Sequence, residues 1–123
     1  MSRTVLIADD AVFMRRLIRD VLRPEGFIVY EAVSGTDALG VVDEVRPDLV
    51  ILDLALPDMS GFEVLSRLKV RQPEPRVLLV SATVAESDAA QALIAGATGY
   101  LAKPFRPAQL LDAVRSSLGP SAV

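Results

Sequence analysis

The sequence of 123 residues predicts an α/β fold built as a three-layer, doubly wound (βα)5 domain. Short apolar runs rich in β-branched residues alternate with segments whose apolar residues recur at helical spacing. Several of the short runs are apolar almost without interruption, as expected for strands that helices cover on both faces of a parallel sheet. Right-handed crossovers would then place helices on both sides of that sheet.

The five predicted strands are short and contain mainly valine, leucine and isoleucine. They are residues 5–8, 27–30, 49–52, 77–80 and a weaker run at 100–102. No linker or repeat separates them, so we expect one domain over residues 1–123. Its core covers about residues 4–118, and residues 119–123 form a frayed tail or the start of a linker.

The predicted helices have recognisable starts and stops. The first has apolar residues at i, i+3, i+4, i+7 and i+8, namely Met14, Leu17, Ile18, Val21 and Leu22. Ser34 opens the second helix, and Ser60 opens the third with Glu63 at the spacing of a capping box. A fourth, alanine-rich helix ends before Gly96, and Pro107 lies in the first turn of the fifth.

Composition excludes several classes of function. The 16 acidic and 13 basic residues give a formal charge of -3, which does not favour nucleic-acid binding. The chain has no cysteine and no histidine, so thiolate and imidazole chemistry are excluded. The N-terminus lacks a signal-peptide pattern and no run is long enough to cross a bilayer, so we expect a cytoplasmic domain without membrane contact.

Polar residues follow four of the predicted strands. Asp9 and Asp10 follow the first strand, Asp53 the third, Ser81 the fourth and Lys103 the fifth. Each residue alone is also typical of a turn or a helix cap. Because ligands of open α/β sheets bind outside the carboxyl ends of the strands, the set together indicates a site at that edge.

Three neighbouring carboxylates repel one another unless a cation lies among them. Oxygen ligands without histidine or cysteine favour Mg²⁺, Ca²⁺ or Mn²⁺, and a few carboxylates plus water particularly suit Mg²⁺ with phosphate oxygens in its shell. Lys103 and Ser81 would contact other phosphate oxygens. Asp53, on the middle strand, is then the expected nucleophile, which would form an aspartyl phosphate.

The chain resembles the receiver domain of two-component response regulators over about residues 4–118. The matching segments are ADD at 8–10, DLALPDMSG at 53–61, SA at 81–82 and YLAKPF at 100–105. Four segments in the right order at one sheet edge are a specific combination. The resemblance implies a flavodoxin-like sheet with the strand order 2-1-3-4-5, for which a receiver protein is a known example.

The resemblance also implies roles in metal binding. Asp10 would bind Mg²⁺ directly and Asp9 mainly through water. Asp53 would be both a metal ligand and the phosphoacceptor, and the backbone carbonyl of Ala55 would be a further ligand. Ala55 and Thr83 lie at positions that influence the lifetime of the phosphoryl group in such domains.

Further roles implied by the resemblance concern switching. Lys103 would contact the phosphoryl oxygens, with a cis bond to Pro104 shaping its loop. Ser81 would move toward the phosphoryl group while Tyr100 rotates inward, although a lone tyrosine on a strand is also typical of static packing. The donor would be a histidine kinase or histidine phosphotransfer protein, and the switched face, formed by helix four, strand five and helix five, would bind an effector.

Alternative interpretations remain open at this point. A flavodoxin-like redox domain would need a phosphate loop where this chain has Asp9 and Asp10, and an aspartyl phosphatase usually has a second acid where this chain has Ala55. A pseudo-receiver would use the fold for docking without phosphorylation. The arginine-rich face of helix one is either solvated or a docking surface for a kinase, with Met14 exposed near the site.

Overall fold

A five-stranded sheet in the order β2-β1-β3-β4-β5 forms the centre of the computed structural model, which describes residues 3–82 and 86–119. Its strands are β1 Thr4–Ala8, β2 Ile28–Ala32, β3 Leu49–Asp53, β4 Arg76–Ser81 and β5 Gly99–Ala102. All four neighbouring pairs run parallel. The predicted fold class and strand order are confirmed.

Five helices connect and cover the strands. They are α1 Val12–Leu22, α2 Gly35–Val45, α3 Gly61–Leu68, α4 Glu86–Ile94 and α5 Pro107–Leu118. One core lies between the sheet and helices α2, α3 and α4, and a second lies between the sheet and helices α1 and α5. Alternate residues of β3 point into the two cores, which is why this strand is buried throughout and apolar up to its last residue, Asp53.

The helix starts follow the predicted capping residues. The Ser34 hydroxyl accepts a hydrogen bond from the backbone N–H of Asp37 at 3.0 Å, and the Ser60 hydroxyl accepts one from Glu63 at 3.2 Å. Pro107 occupies the first turn of α5 as predicted. These local bonds fix where α2 and α3 begin, close to the carboxyl ends of the strands.

The second strand lies later in the sequence than predicted. A short 3₁₀ turn follows α1, and the chain reverses at Gly26 with a φ of 92°. The N–H of Phe27 still donates to the carbonyl of Leu22, so Phe27 belongs to the turn and β2 begins at Ile28. The strand then continues through Glu31 to Ala32 because Ala32 pairs with Ala8 of β1.

Part of the prediction concerns residues outside those described. Thr83 lies there, as do residues 120–123 of the predicted tail. Among the described residues, none of the helices has the length and apolar character needed to span a membrane.

Candidate functional site

Sheet register brings the acidic residues to one edge. Asp53 is the last residue of β3 and pairs with Val80, while Asp9 directly follows Ala8 at the end of β1. One carboxylate oxygen from each of Asp9, Asp10 and Asp53 lies within 4.8 Å of the others. Asp9 and Asp53 are only 3% and 7% exposed, whereas Asp10 is exposed. The three predicted metal ligands therefore form one cluster that is open to solvent on the side of Asp10.

Lys103 provides a cation for this cluster. Its Nζ atom lies 3.2 Å from Oδ2 of Asp9 and 3.3 Å from Oδ2 of Asp53. The Lys103–Pro104 peptide bond is cis, as expected, and the Lys103 N–H donates to the carbonyl of Ser81 at 2.7 Å. Three ionised carboxylates against one ammonium leave two excess negative charges, which a divalent cation would neutralise.

The environment of Asp53 raises the pKa of its carboxyl group above the ordinary value of 3.8. Burial is the main cause, and the neighbouring Asp9 carboxylate acts in the same direction. The Ala55 N–H, 3.2 Å from Oδ1, and the Lys103 ammonium oppose the rise. The ionised form of Asp53 is thus held in a place that penalises its charge, as is common for reactive groups.

Ser81 and Tyr100 lie on the two strands beyond Asp53. Ser81 is the last residue of β4 and is buried, and Ala102 of β5 is its partner in the sheet. Tyr100 is half-buried and packs against the core on the side of α2, α3 and α4. Both positions agree with the sequence prediction of where these residues lie; their switching roles stay predictions.

The loop after Asp53 brings the Ala55 backbone to the site. Ala55 is exposed and forms an isolated antiparallel bridge with Ser60, and the Gly61 N–H donates to the carbonyl of Leu54 at 2.9 Å. A Cβ atom on Gly61 would lie 2.7 Å from the carbonyl oxygen of Asp53. Glycine at position 61 therefore allows α3 to start close against the end of β3.

Two arginines on the arginine-rich face of α1 are paired within the domain. Arg15 and Arg19 form ion pairs with Glu31 of β2 at 3.1 and 3.2 Å, and Arg15 also donates to the backbone carbonyl of Asp9 at 2.8 Å. The prediction that Met14 is exposed was wrong, because its side chain is partly buried and packs against the core that lies between the sheet and helices α1 and α5. Phe13 is exposed instead, at 77%.

Sequence reasoning did not single out two contacts beside the site. One is the Arg15–Glu31 pair, which helical spacing could not reveal because Glu31 belongs to a strand that was predicted to end one residue earlier. The other is Asp58, whose carboxylate bonds to the first turn of α2. Asp58 belongs to the segment 53–61 that carries the resemblance, but a partner 23 residues away gives no local signal.

A parallel, doubly wound sheet with a carboxylate cluster and a lysine at its carboxyl edge defines a receiver-type signalling domain. The model of the response regulator receiver domain matches residues 5–115, and this chain belongs to that family. The family is the one that the resemblance in sequence predicted, and membership in it is consistent with phosphorylation-dependent signalling.

Named relatives and a solved structure agree with this assignment. The chain is 37% identical over 119 residues to chemotaxis protein CheY of Bacillus subtilis, covering 96% of this chain and 99% of that protein. It is 36% identical over 118 residues to sporulation initiation phosphotransferase F of the same species, covering 96% and 95%. A CheY-like receiver structure from Methanospirillum hungatei superimposes with a TM-score of 0.87 at 28% identity, covering 96% of this chain and 94% of that one.

Proposed function

We propose that this chain accepts a phosphoryl group on Asp53, in a Mg²⁺-dependent reaction, from the phosphohistidine of a histidine kinase or histidine phosphotransfer protein. The observation that carries the proposal is the buried Asp53 carboxylate, which lies beside the Asp9 carboxylate and shares the Lys103 ammonium with it. An acid held in this way is poorly stabilised as a bare anion, so a divalent cation bound beside it would lower the free-energy cost of its charge and of the charge on an incoming phosphoryl group.

The donor set fits magnesium. Asp9, Asp10 and Asp53 offer only oxygen atoms, within 4.8 Å of one another, and the chain has no histidine or cysteine to favour a softer metal. We assign Asp10 and Asp53 as direct ligands, Asp9 mainly as a ligand through water, and the Ala55 carbonyl as a further ligand. Bound Mg²⁺ would neutralise the carboxylates and the phosphoryl oxygens as charge develops on them.

In the transfer itself, a carboxylate oxygen of Asp53 attacks phosphorus and forms a new P–O bond. The bond from phosphorus to the donor imidazole nitrogen breaks, and its electron pair returns to the imidazole. Lys103, which lies against Asp53 before the reaction, would contact a phosphoryl oxygen afterwards. The hydroxyl of Ser81, at the end of β4, would donate a hydrogen bond to another of these oxygens.

Phosphorylation would then bias a conformational equilibrium. Because the Lys103 N–H donates to the carbonyl of Ser81, a movement of either residue toward the phosphoryl group would carry the ends of both β4 and β5 with it. Tyr100 lies one residue beyond Gly99 at the start of β5, and its inward rotation would change the face formed by α4, β5 and α5. That face would bind a downstream protein or effector domain in the phosphorylated state.

The proposed role is that of a switch. The chain would catalyse its own phosphorylation and a slow loss of the phosphoryl group, and would act on no separate substrate. We expect it to work in the cytoplasm, where ATP charges histidine kinases, and without direct contact with nucleic acid or membrane. The net charge of -3 agrees with a protein partner and not with a nucleic acid.

The test is incubation with Mg²⁺ and a small acyl phosphate, followed by intact-mass measurement. We expect one added phosphoryl group that is labile to base, absent without Mg²⁺ and absent in Asp53→Ala. Asp112→Ala removes an exposed acid from α5 and is the matched control, which should be modified like the wild type. No adduct on the wild type, or an adduct that survives in Asp53→Ala, would overturn the proposal and favour a docking module that acts without phosphorylation.

A further inference from the structure

The loop between β3 and α3 is tied to the start of α2 through Asp58. Oδ1 of Asp58 accepts a hydrogen bond from the Gly35 N–H at 2.7 Å. Oδ2 accepts two more, from the N–H and the hydroxyl of Thr36, at 2.8 and 2.7 Å. Both residues belong to the first turn of an 11-residue helix, whose N-terminus favours a negative charge.

These bonds stabilise the ionised form of an exposed side chain. The backbone N–H of Thr36 is the largest cause, followed by its hydroxyl and by the N–H of Gly35, and together they lower the pKa of Asp58 to about 2. Asp58 is therefore a carboxylate at neutral pH. Its three hydrogen-bond donors on α2 make Asp58 a link between that helix and the loop. Its carboxylate is not one of the three in the acidic cluster.

Side-chain packing reinforces the same link. Gly35 lies against Met59, the residue after Asp58, so closely that a Cβ atom on Gly35 would come within 2.4 Å of the Met59 Cγ atom. The same Cβ would lie 3.0 Å from Cγ2 of Val64 in α3. The first turn of α2 therefore packs closely against the Met59 side chain of the loop, and Asp58 bonds across this contact.

The linked segments lead to both sides of the acidic cluster. Upstream of α2, the Ala32 carbonyl at the end of β2 accepts a hydrogen bond from the N–H of Asp9 at 3.1 Å. On the loop side, the Ala55 N–H donates to Asp53 at 3.2 Å. The Asp58 link thus joins the segment that contacts Asp9 to the loop that carries Ala55.

We propose that Asp58 is a positioning residue for this site, which holds the backbone of Ala55 and the carboxylate of Asp53 in the arrangement that binds a divalent cation. The inference rests on the proposed Mg²⁺-dependent function and adds a residue that does not touch the metal. Loss of the link would let the loop move away from α2. The concentration of Mg²⁺ needed for half-saturation would then rise, while the phosphorylation rate at saturating Mg²⁺ would change less.

The experiment compares two acids that form contacts at opposite ends of α2. Asp58→Asn and Asp58→Ala break the link at the start of α2. Asp43→Asn is the matched control, because Asp43 near the other end of α2 forms a two-pronged ion pair with Arg71, beyond the end of α3, at 3.1 and 3.3 Å. Thr36→Val removes only the hydroxyl donor and gives a graded variant.

Mg²⁺ binding to the full chain is measured by NMR titration with MgCl₂, and the phosphorylation rate with an acyl phosphate is measured against MgCl₂ concentration. We expect both Asp58 variants to raise the Mg²⁺ dissociation constant about threefold to tenfold. This is less than the effect of removing a side chain that hydrogen-bonds directly to a metal ligand. Thr36→Val should raise it less, and Asp43→Asn should leave it unchanged. Urea unfolding of every variant reports stability separately.

The possible outcomes are distinct. Asp58 variants that lose stability but keep the wild-type dissociation constant would overturn the positioning role and leave Asp58 as a structural link. An equal rise in Asp43→Asn would also overturn it, because the effect would then follow general loosening of α2. A wild-type chain that binds no Mg²⁺ and accepts no phosphoryl group would overturn the proposed function and this inference together.

Discussion

Asp53 ends β3 and Asp58 lies in the loop that follows it, and the two carboxyl groups differ in burial, in hydrogen bonding and in the direction of their pKa shifts. Asp53 is 7% exposed and the pKa of its carboxyl group is raised, mainly by burial. Asp58 is exposed, accepts three hydrogen bonds from α2, and its pKa is lowered to about 2. The ionised form of Asp58 stabilises the folded state, whereas the ionised form of Asp53 lowers the stability of the folded state.

The difference follows from the number of donors and from access to water. Asp58 keeps its exposure to solvent while a helix N-terminus satisfies both of its oxygens. Asp53 loses water, receives one backbone N–H from Ala55, and shares the Lys103 ammonium with Asp9. Of the two acids, the proposed phosphoacceptor is therefore the one whose ionised form the fold stabilises less.

Removing the shared cation would break the balance at Asp53 most severely. Lys103→Met leaves two buried carboxylates facing each other, and we expect the free energy of unfolding in metal-free buffer to fall by about 3 kcal/mol. Urea denaturation measures the change. Lys69→Met removes an exposed lysine paired with Glu74 at 2.5 Å and should cost about 0.5 kcal/mol. Equal losses in the two variants would contradict the special position of Lys103.

Neutralising the two acids separately should change stability in opposite directions. At pH 7 without metal, Asp53→Asn relieves a buried charge and its repulsion with Asp9, so the free energy of unfolding should rise by roughly 1–2 kcal/mol. Asp58→Asn loses charge-assisted hydrogen bonds at the start of α2 and should be less stable than the wild type. Thermal and urea unfolding of both variants provide the measurement, and changes of the same sign would remove the contrast.

Magnesium should offset the free-energy cost of the buried Asp53 charge and so stabilise the folded state. A cation that binds the folded state alone, at ten times its dissociation constant, stabilises that state by about 1.4 kcal/mol. We expect MgCl₂ to raise the melting temperature of the wild type and to have little effect on Asp10→Asn, which lacks a predicted direct ligand. CaCl₂ at the same concentration tests selectivity. Full Mg²⁺ stabilisation in Asp10→Asn would exclude Asp10 from the metal site.

Acid should remove both effects, each over its own pH range. The folded-state pKa of Asp58, about 2, is below the ordinary 3.8, so its stabilisation is complete above about pH 4 and is lost as the pH falls through about 2. The folded-state pKa of Asp53 is above 3.8, so its penalty is complete above that raised pKa and disappears below 3.8. In metal-free buffer, Asp53→Asn should be more stable than the wild type at neutral pH and Asp58→Asn less stable. Both differences in the free energy of unfolding should become smaller toward acid pH. Urea titrations at pH 7, 5, 4 and 3 measure this, and a difference that grows toward acid pH would contradict the assigned direction.

Most of the local structure could be predicted because its causes are local. Apolar runs and helical spacing gave the number and order of the elements, and Ser34 and Ser60 marked the helix starts because a side-chain oxygen bonds three residues ahead. The second strand was shifted because the turn at Gly26 takes up Phe27, while pairing with β1 extends the strand to Ala32. The strand order came from the resemblance to receiver domains and not from periodicity.

The positions of three acids, a serine and a lysine at the ends of predicted parallel strands can be read from the chain alone, because chain direction puts the carboxyl ends of such strands at one edge of the sheet. The contacts among these groups depend on the folded structure. Lys103 reaches Asp9 across 94 residues of sequence, and Asp58 reaches Gly35 across 23. Such contacts depend on sheet register and on how closely helices pack. For the same reason, the opposite pKa shifts of Asp53 and Asp58 belong to the fold, although both residues are aspartate.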